Sequence, residues 1–224
     1  MTEQQSLRIK PDPPRQFRQL GVLVLDGSGS MTEMTSGNIT KAEATAVATR
    51  DLFARLKESG VAQNFLISLI TYDDHPTRLI DPPVPVEQLD VHGDYDPTKG
   101  HGDGTKIHLA LEEAEKLVAD FLAQAPPAGI DHSAVILLMT DGLCNEPDRT
   151  RQVAYRLRDR FGNKLTIAAA FFAASGKADP EGERLLKDIV TEPKFFSTVA
   201  TGEALRDFFK RTLSQTSGIA IYRD

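Results

Sequence analysis

The stretch GVLVLDGSGSMTEM, from Gly21 to Met34, decides how the chain folds. It opens with a run of Val and Leu, which predicts a buried strand, and the run ends in the carboxylate of Asp26. Ser28 and Ser30 follow, each after a glycine that lets the backbone turn tightly. A strand that delivers three oxygen-bearing side chains to one place predicts a binding site at its carboxyl end.

Length and composition narrow the classes of protein to consider. The 224 residues fit one α/β domain, and a net charge of −6 without a long basic run argues against nucleic-acid binding. A single cysteine, Cys144, excludes an intrachain disulfide. With no secretory signal pattern and no apolar run near the roughly 20 residues of a membrane span, we expect a soluble, cytoplasmic protein without membrane contact.

The rest of the chain alternates short apolar runs with amphipathic stretches. Strands are predicted at Leu20 to Leu25, Phe65 to Thr71, Ala134 to Met139, Leu165 to Phe171 and Phe195 to Val199. Helices are predicted at Lys41 to Lys57, Thr105 to Leu122 and Arg149 to Gly162, and after the caps Asp179 and Thr201. This order predicts the α/β class, with a doubly wound, mostly parallel sheet.

One segment interrupts the alternation. Thr71 to Ile80, TYDDHPTRLI, has turn residues between two strand-like pieces, and predicts a hairpin that adds one short antiparallel strand at the sheet edge. The polar stretch that follows, Asp81 to Gly104, reads as a long loop, which in a compact domain is usually functional or mobile.

Two further oxygen donors are predicted to join the first three. Asp141 ends the strand Ala134 to Met139, and Thr105 begins a helix. If the strands before Asp26 and Asp141 are neighbours where the winding reverses, both carboxylates face one crevice. Such a set suits a hard cation such as Mg²⁺, and the lack of thiolate and imidazole donors argues against zinc or copper.

At these five positions the sequence resembles the von Willebrand factor type A (VWA) domain family and its metal-ion-dependent adhesion site. The family's Asp-x-Ser-x-Ser matches Asp26, Ser28 and Ser30, its Gly-x-Thr threonine matches Thr105, and its Asp-Gly matches Asp141 with the glycine after it. The resemblance implies that the three hydroxyls touch Mg²⁺, with Mn²⁺ or Ca²⁺ as alternatives, and that both carboxylates act largely through waters.

The resemblance also implies an architecture and a function. It predicts about six strands between helices over residues 19–213, after an extended, proline-bearing arm (1–18) and before a tail (214–224). Three neutral hydroxyls leave the dication under-neutralised, so a partner protein's Asp or Glu is expected to complete the shell. Small cytoplasmic bacterial relatives associated with tellurium resistance suggest a kinase, phosphatase or ATPase as partner.

Other conspicuous residues have plainer interpretations. Asp103 stands where relatives commonly have glycine, and either adds negative charge near the metal or points to solvent. Asp73 and Asp74 are predicted turn residues, Cys144 a packed residue, and the arginines of Arg149 to Gly162 a solvated face. Solvent-facing or capping roles are predicted for the histidines, His75, His92, His101, His108 and His132.

Two other functions compete with a non-enzymatic binding module. A Mg²⁺-dependent phosphohydrolase would use Asp26 as nucleophile, as haloacid-dehalogenase-like phosphatases use an Asp at that topological position. Those enzymes need a second Asp two residues later as general acid, and Ser28 cannot serve as that acid near neutral pH. The other possibility is a scaffold that needs no metal, against which the complete set of five residues argues.

Overall fold

The computed structural model describes residues 17–35, 37–126, 129–174 and 179–218. The strands are β1 (Phe17–Asp26), β2 (Phe65–Tyr72), β3 (Pro76–Pro85), β4 (Asp131–Thr140), β5 (Leu165–Phe172) and β6 (Phe196–Val199). The helices are α1 (Lys41–Glu58), α2 (Ile107–Ala123), α3 (Pro147–Phe161), α4 (Pro180–Ile189) and α5 (Gly202–Ser217). Each predicted strand and helix is present, with ends that differ by a few residues.

The strands form one six-stranded sheet in the order β3-β2-β1-β4-β5-β6. All neighbours are parallel except β2 and β3, which are antiparallel. The chain first winds from β1 toward β2 and later from β4 toward β6, so the winding reverses between β1 and β4. This confirms the predicted doubly wound sheet, and the pairing of Leu25 with Met139 brings the two strand ends side by side.

The helices lie in two groups. α1 packs against α5, whereas α3 packs against both α2 and α4. Right-handed crossovers place the helices of oppositely wound halves on opposite faces of a sheet, so both faces are covered. The central strands are accordingly buried almost throughout, and every residue of β1 from Gln19 to Asp26 is buried.

Local capping chemistry explains where three of the helices, α1, α4 and α5, begin. Thr40 and Glu43 form a reciprocal capping box that fixes the first residue of α1 at Lys41. The Asp179 carboxylate accepts hydrogen bonds from two N–H groups of the first turn of α4, and the Thr201 hydroxyl accepts one in α5. Both predicted caps are therefore confirmed.

The edge strand differs from the prediction. β3 is ten residues long rather than short, and Asp81–Pro85, predicted to belong to a loop, continue it. An edge strand pairs on one side only, so its prolines need not donate hydrogen bonds on the open side. Part of the remaining stretch is packed, because Val86 and Tyr95 are buried and the Tyr95 ring meets Phe53 edge-on at 5.1 Å.

The first and last elements extend beyond the predicted domain limits. β1 begins at Phe17, inside the predicted arm, and α5 ends at Ser217, inside the predicted tail. The other residues of the arm, 1–16, and the end of the tail, 219–224, lie outside the described residues. Within the described ranges, no helix is both long enough and apolar enough to cross a bilayer.

Candidate metal centre

Asp26, at the end of β1, is the first of the predicted ligands. Its side chain has no exposed surface. One carboxylate oxygen accepts the backbone N–H of Ser28 at 2.8 Å, and the other accepts the hydroxyl of Thr140 from β4. Both oxygens are therefore held in place, one by the loop that follows β1 and the other by β4.

The two serine hydroxyls link the first loop to Asp141. Ser28 Oγ lies 3.1 Å from Ser30 Oγ, and the Ser30 hydroxyl donates to Asp141 Oδ1 at 2.7 Å. Adjacent ligands of an octahedral Mg²⁺ ion, at about 2.0–2.1 Å from it, stand about 3.0 Å apart. The spacing of the two hydroxyls therefore matches that of neighbouring Mg²⁺ ligands.

A lysine ammonium completes this end of the site. Lys41 Nζ lies 2.7 Å from Asp141 Oδ2 and 2.7 Å from Glu33 Oε2. The Asp141 side chain is fully buried, whereas that of Glu33 is 66% exposed. Lys41 lies 100 residues from Asp141 in the chain, so no local sequence pattern indicated this contact.

Burial and charge shape the protonation of this cluster. Burial, and secondarily the charge of Asp141, raise the pKa of Asp26 to about 6. Burial lowers the pKa of Lys41, but hydrogen bonds to Asp141 and Glu33 outweigh it and raise the pKa above its ordinary value. The site thus contains two buried carboxylates whose mutual repulsion a cation would relieve.

The loop with Thr105 lies against both other loops. The Gly29 N–H donates to the Asp103 carbonyl at 3.4 Å. On the other side, the Thr105 N–H donates to Asn145 Oδ1 at 2.5 Å, and the Asn145 N–H donates to the Thr105 carbonyl at 3.0 Å. Backbone and side-chain contacts thus hold the three loops that carry the predicted ligands at one edge of the sheet.

Two glycines allow the loops to approach this closely. A Cβ on Gly27 would lie 2.1 Å from the Pro97 carbonyl oxygen, and one on Gly104 would lie 2.5 Å from both Asn145 Oδ1 and Asp74 Oδ1. Neither glycine has a positive φ. Close packing against backbone, rather than an unusual backbone conformation, therefore requires glycine at position 27, whereas the atoms closest to Gly104 are the ends of side chains.

Asp73 anchors the threonine loop, which is the loop that carries Thr105. Its Oδ1 accepts the His75 N–H at 2.8 Å, as expected of a turn residue, but its Oδ2 accepts the N–H groups of Gly102 and Asp103 at 3.1 and 3.3 Å. Its carbonyl also accepts the Lys106 N–H at 2.8 Å. The turn prediction for Asp73 was therefore incomplete, because the partners lie about 30 residues further along the chain.

His101 supports this anchor from the other side. Its Nδ1 lies 3.0 Å from Asp73 Oδ1, although not in hydrogen-bonding alignment, and its Nε2 lies 3.0 Å from the Thr71 hydroxyl. Burial raises the pKa of Asp73, but the backbone N–H groups of His75 and Asp103 and the His101 ring together lower it to about 2. Asp73 is therefore ionised at neutral pH.

The remaining histidines differ in burial, and the cysteine is packed. His75 and His92 are exposed, as predicted. The prediction of a solvent-facing or capping role was wrong for three other histidines, because His108 and His132 are buried and so is the side chain of His101. Cys144 is a buried residue, as predicted, with its Sγ 3.2 Å from the Thr150 hydroxyl.

The arginines of α3 make structural ion pairs. Arg156 and Arg160 both donate to the Glu115 carboxylate of α2, at 2.6 and 2.8 Å, and Arg151 donates to Asp188 of α4 at 3.0 Å. These contacts connect α3 to its two neighbours. The predicted solvated face is therefore also a surface of inter-helix ion pairs.

Comparison with known proteins agrees with this architecture. The family model of the von Willebrand factor type A domain matches residues 22–211. The VWF domain of the pili tip protein Mfa5 from Porphyromonas gingivalis is 15% identical, with a TM-score of 0.67 over 93% of this chain and 98% of that one. No curated protein matches the sequence.

Two other solved structures share the fold within longer proteins. The PilB minor pilin from Streptococcus sanguinis is 13% identical, with a TM-score of 0.68 over 93% of this chain and 64% of that one. The pilus adhesin SpaC from Lactobacillus rhamnosus GG is 10% identical, with a TM-score of 0.67 over 91% of this chain, which spans about a third (31%) of the SpaC chain. The fold, the sheet order and the match over residues 22–211 show that this chain belongs to the von Willebrand factor type A domain family.

Proposed function

We propose that the protein is a non-enzymatic binding module that holds Mg²⁺ at the edge of its sheet and binds a partner protein through the metal. Ser28, Ser30 and Thr105 would supply hydroxyl ligands, and Asp26 and Asp141 would act around them. The observation that carries the proposal is the cluster of two carboxylates with buried side chains, Asp26 and Asp141, and two hydroxyls 3.1 Å apart.

The donor chemistry fits a hard divalent cation. All five side chains present oxygen, which Mg²⁺, Mn²⁺ and Ca²⁺ prefer. In the proposed arrangement neutral hydroxyls touch the ion and the two carboxylates act largely through waters, so the charge of the dication is only partly cancelled. A bound metal would attract a further anion, and a carboxylate of a partner protein has suitable charge and size.

The contacts of Asp26 give less support to a phosphohydrolase. A nucleophilic carboxylate must reach phosphorus with a free oxygen, but both oxygens of Asp26 accept hydrogen bonds in a fully buried position. The second position of the motif is Ser28, which lacks the acidity for leaving-group protonation. Binding through the metal is thus the function that the geometry favours.

The partner and location follow the expectations from sequence. We propose that the module works in the cytoplasm and that its partner is a kinase, phosphatase or ATPase of the same pathway, as in the bacterial relatives linked with tellurium resistance. The description of the structural neighbour SpaC as a pilus adhesin agrees with a binding role for this fold.

The test combines metal titration with affinity capture. Mg²⁺ binding is measured by calorimetry on the wild type, Asp26→Ala, Thr105→Ala and the control Asp159→Ala, which removes an exposed carboxylate of α3. The same proteins are then baits in a native lysate, with Mg²⁺ or with EDTA. We expect the wild type and the control to bind Mg²⁺ and retain a partner only with Mg²⁺. Retention of the same partner by Asp26→Ala in EDTA would refute the proposal.

A further inference from the structure

Lys41 occupies a position that the five-residue ligand set does not explain. The capping box of Thr40 and Glu43 makes it the first residue of α1, so its backbone is fixed by local chemistry. The residue is buried, and its side chain is only 10% exposed. A lysine held this far from solvent is normally paired with a specific anion.

Its anion is one of the proposed metal ligands. Lys41 Nζ lies 2.7 Å from Asp141 Oδ2, while the other oxygen of Asp141 accepts the Ser30 hydroxyl. The Asp141 side chain is fully buried, so it needs a counter-charge inside the protein. Lys41 supplies that charge at the place where the metal is proposed to bind.

Glu33 offers the ammonium a second anion. Its Oε2 also lies 2.7 Å from Lys41 Nζ, and its side chain is 66% exposed. Lys41 can therefore turn away from Asp141 without losing all of its ionic partners. A dication near Asp141 would repel the ammonium toward Glu33.

We propose that Lys41 is a tethered counter-ion that competes with the divalent cation for Asp141 and thereby sets the metal affinity of the site. The inference rests on the metal site proposed above. Without metal, Lys41 neutralises Asp141 and keeps the ligand loops assembled. With metal, the ion takes over that role and Lys41 pairs with Glu33.

The test measures Mg²⁺ affinity by calorimetry and the melting temperature in EDTA and in Mg²⁺. Lys41→Met removes the competing charge and keeps much of the side-chain volume. Lys41→Arg keeps the charge, and Lys57→Met, near the other end of α1, is the matched control. We expect Lys41→Met to bind Mg²⁺ about ten- to a hundredfold more tightly, because a unit positive charge close to the ion is lost. In EDTA it should also have a lower melting temperature than the wild type, and Mg²⁺ should raise its melting temperature by more than that of the wild type.

A second variant should act in the opposite direction. Glu33→Gln leaves the ammonium with Asp141 alone and removes a negative charge, so Mg²⁺ binding should weaken. The Mg²⁺ affinities of Lys41→Arg and Lys57→Met should stay within about threefold of the wild-type value. Unchanged or weaker Mg²⁺ binding by folded Lys41→Met, beside a wild type that binds Mg²⁺, would overturn the competition and leave the proposed function intact. Failure of both the wild type and Lys41→Met to bind Mg²⁺, Mn²⁺ or Ca²⁺ would overturn both proposals.

Discussion

The replacement of Gly27 by alanine tests whether close loop packing assembles the candidate site. The new Cβ would lie 2.1 Å from the Pro97 carbonyl oxygen and 3.0 Å from His101 Cβ, whereas real Cβ contacts are essentially never shorter than 3.0 Å. The loop from Pro97 to His101 must therefore retreat by about 0.9 Å, and the threonine loop that follows it must shift as well.

The expected cost is large because the opposing atom is backbone. Overpacking of this kind costs about 1–3 kcal/mol, and the short contact puts Gly27→Ala at the upper end. For a chain of this length, about 3 kcal/mol lowers the melting temperature by roughly 6–12 °C. Because the three loops would no longer meet correctly, Mg²⁺ affinity should fall as well.

Urea denaturation and Mg²⁺ titration measure both effects. Gly60→Ala is the matched control, since nothing lies within 4 Å of its added Cβ. Its free energy of unfolding should differ from that of the wild type by no more than about 1 kcal/mol. In Gly29→Ala the Cβ would lie 3.0 Å from the Gly102 carbonyl oxygen, so the free energy of unfolding of this variant should lie between those of Gly27→Ala and Gly60→Ala. A Gly27→Ala protein as stable as the Gly60→Ala control would refute the close-packing argument.

Two further changes probe an anchor of the threonine loop and an ion-pair cluster between α2 and α3. Asp73→Asn removes the charge from an anchor of the threonine loop, so we expect the free energy of unfolding in urea to fall by about 1–2 kcal/mol and Mg²⁺ binding to weaken. A Mg²⁺ affinity equal to that of the wild type would contradict the anchoring role. Burial raises the pKa of Glu115, but hydrogen bonds from Arg160 and Arg156 outweigh it and lower the pKa below its ordinary 4.5. Because this pKa is lower in the folded state, the ionised carboxylate stabilises the fold fully above pH 4.5, and this stabilisation is lost as the pH falls through the pKa of the folded state. Glu115→Gln should therefore lower the free energy of unfolding by about 1–2 kcal/mol at pH 7 and by progressively less below pH 4.5. A difference from the wild type that did not change with pH would contradict the pairing.

Local sequence patterns predicted most of the secondary structure and placed the five candidate ligands at strand ends and a helix start. Continuous apolar runs marked the central strands because both faces of those strands are buried. The caps Asp179 and Thr201 were readable because a cap acts on N–H groups two or three residues away. The length of β3 was not readable, because its prolines argue against a strand unless the strand is known to lie at an edge.

The sequence alone determined the fold class and the five candidate ligands, because periodicity, capping and motif spacing are local properties, whereas the sheet neighbours of β1 came from the structure. The tertiary structure alone revealed Lys41 beside Asp141, the anchoring of the threonine loop by Asp73 and the hydrogen bond from Thr140 to Asp26. Each of these contacts joins residues 29 to 114 positions apart in the chain. Strand register and loop packing decide which distant polar groups meet, and burial makes such meetings necessary, because a buried charge without a partner is costly.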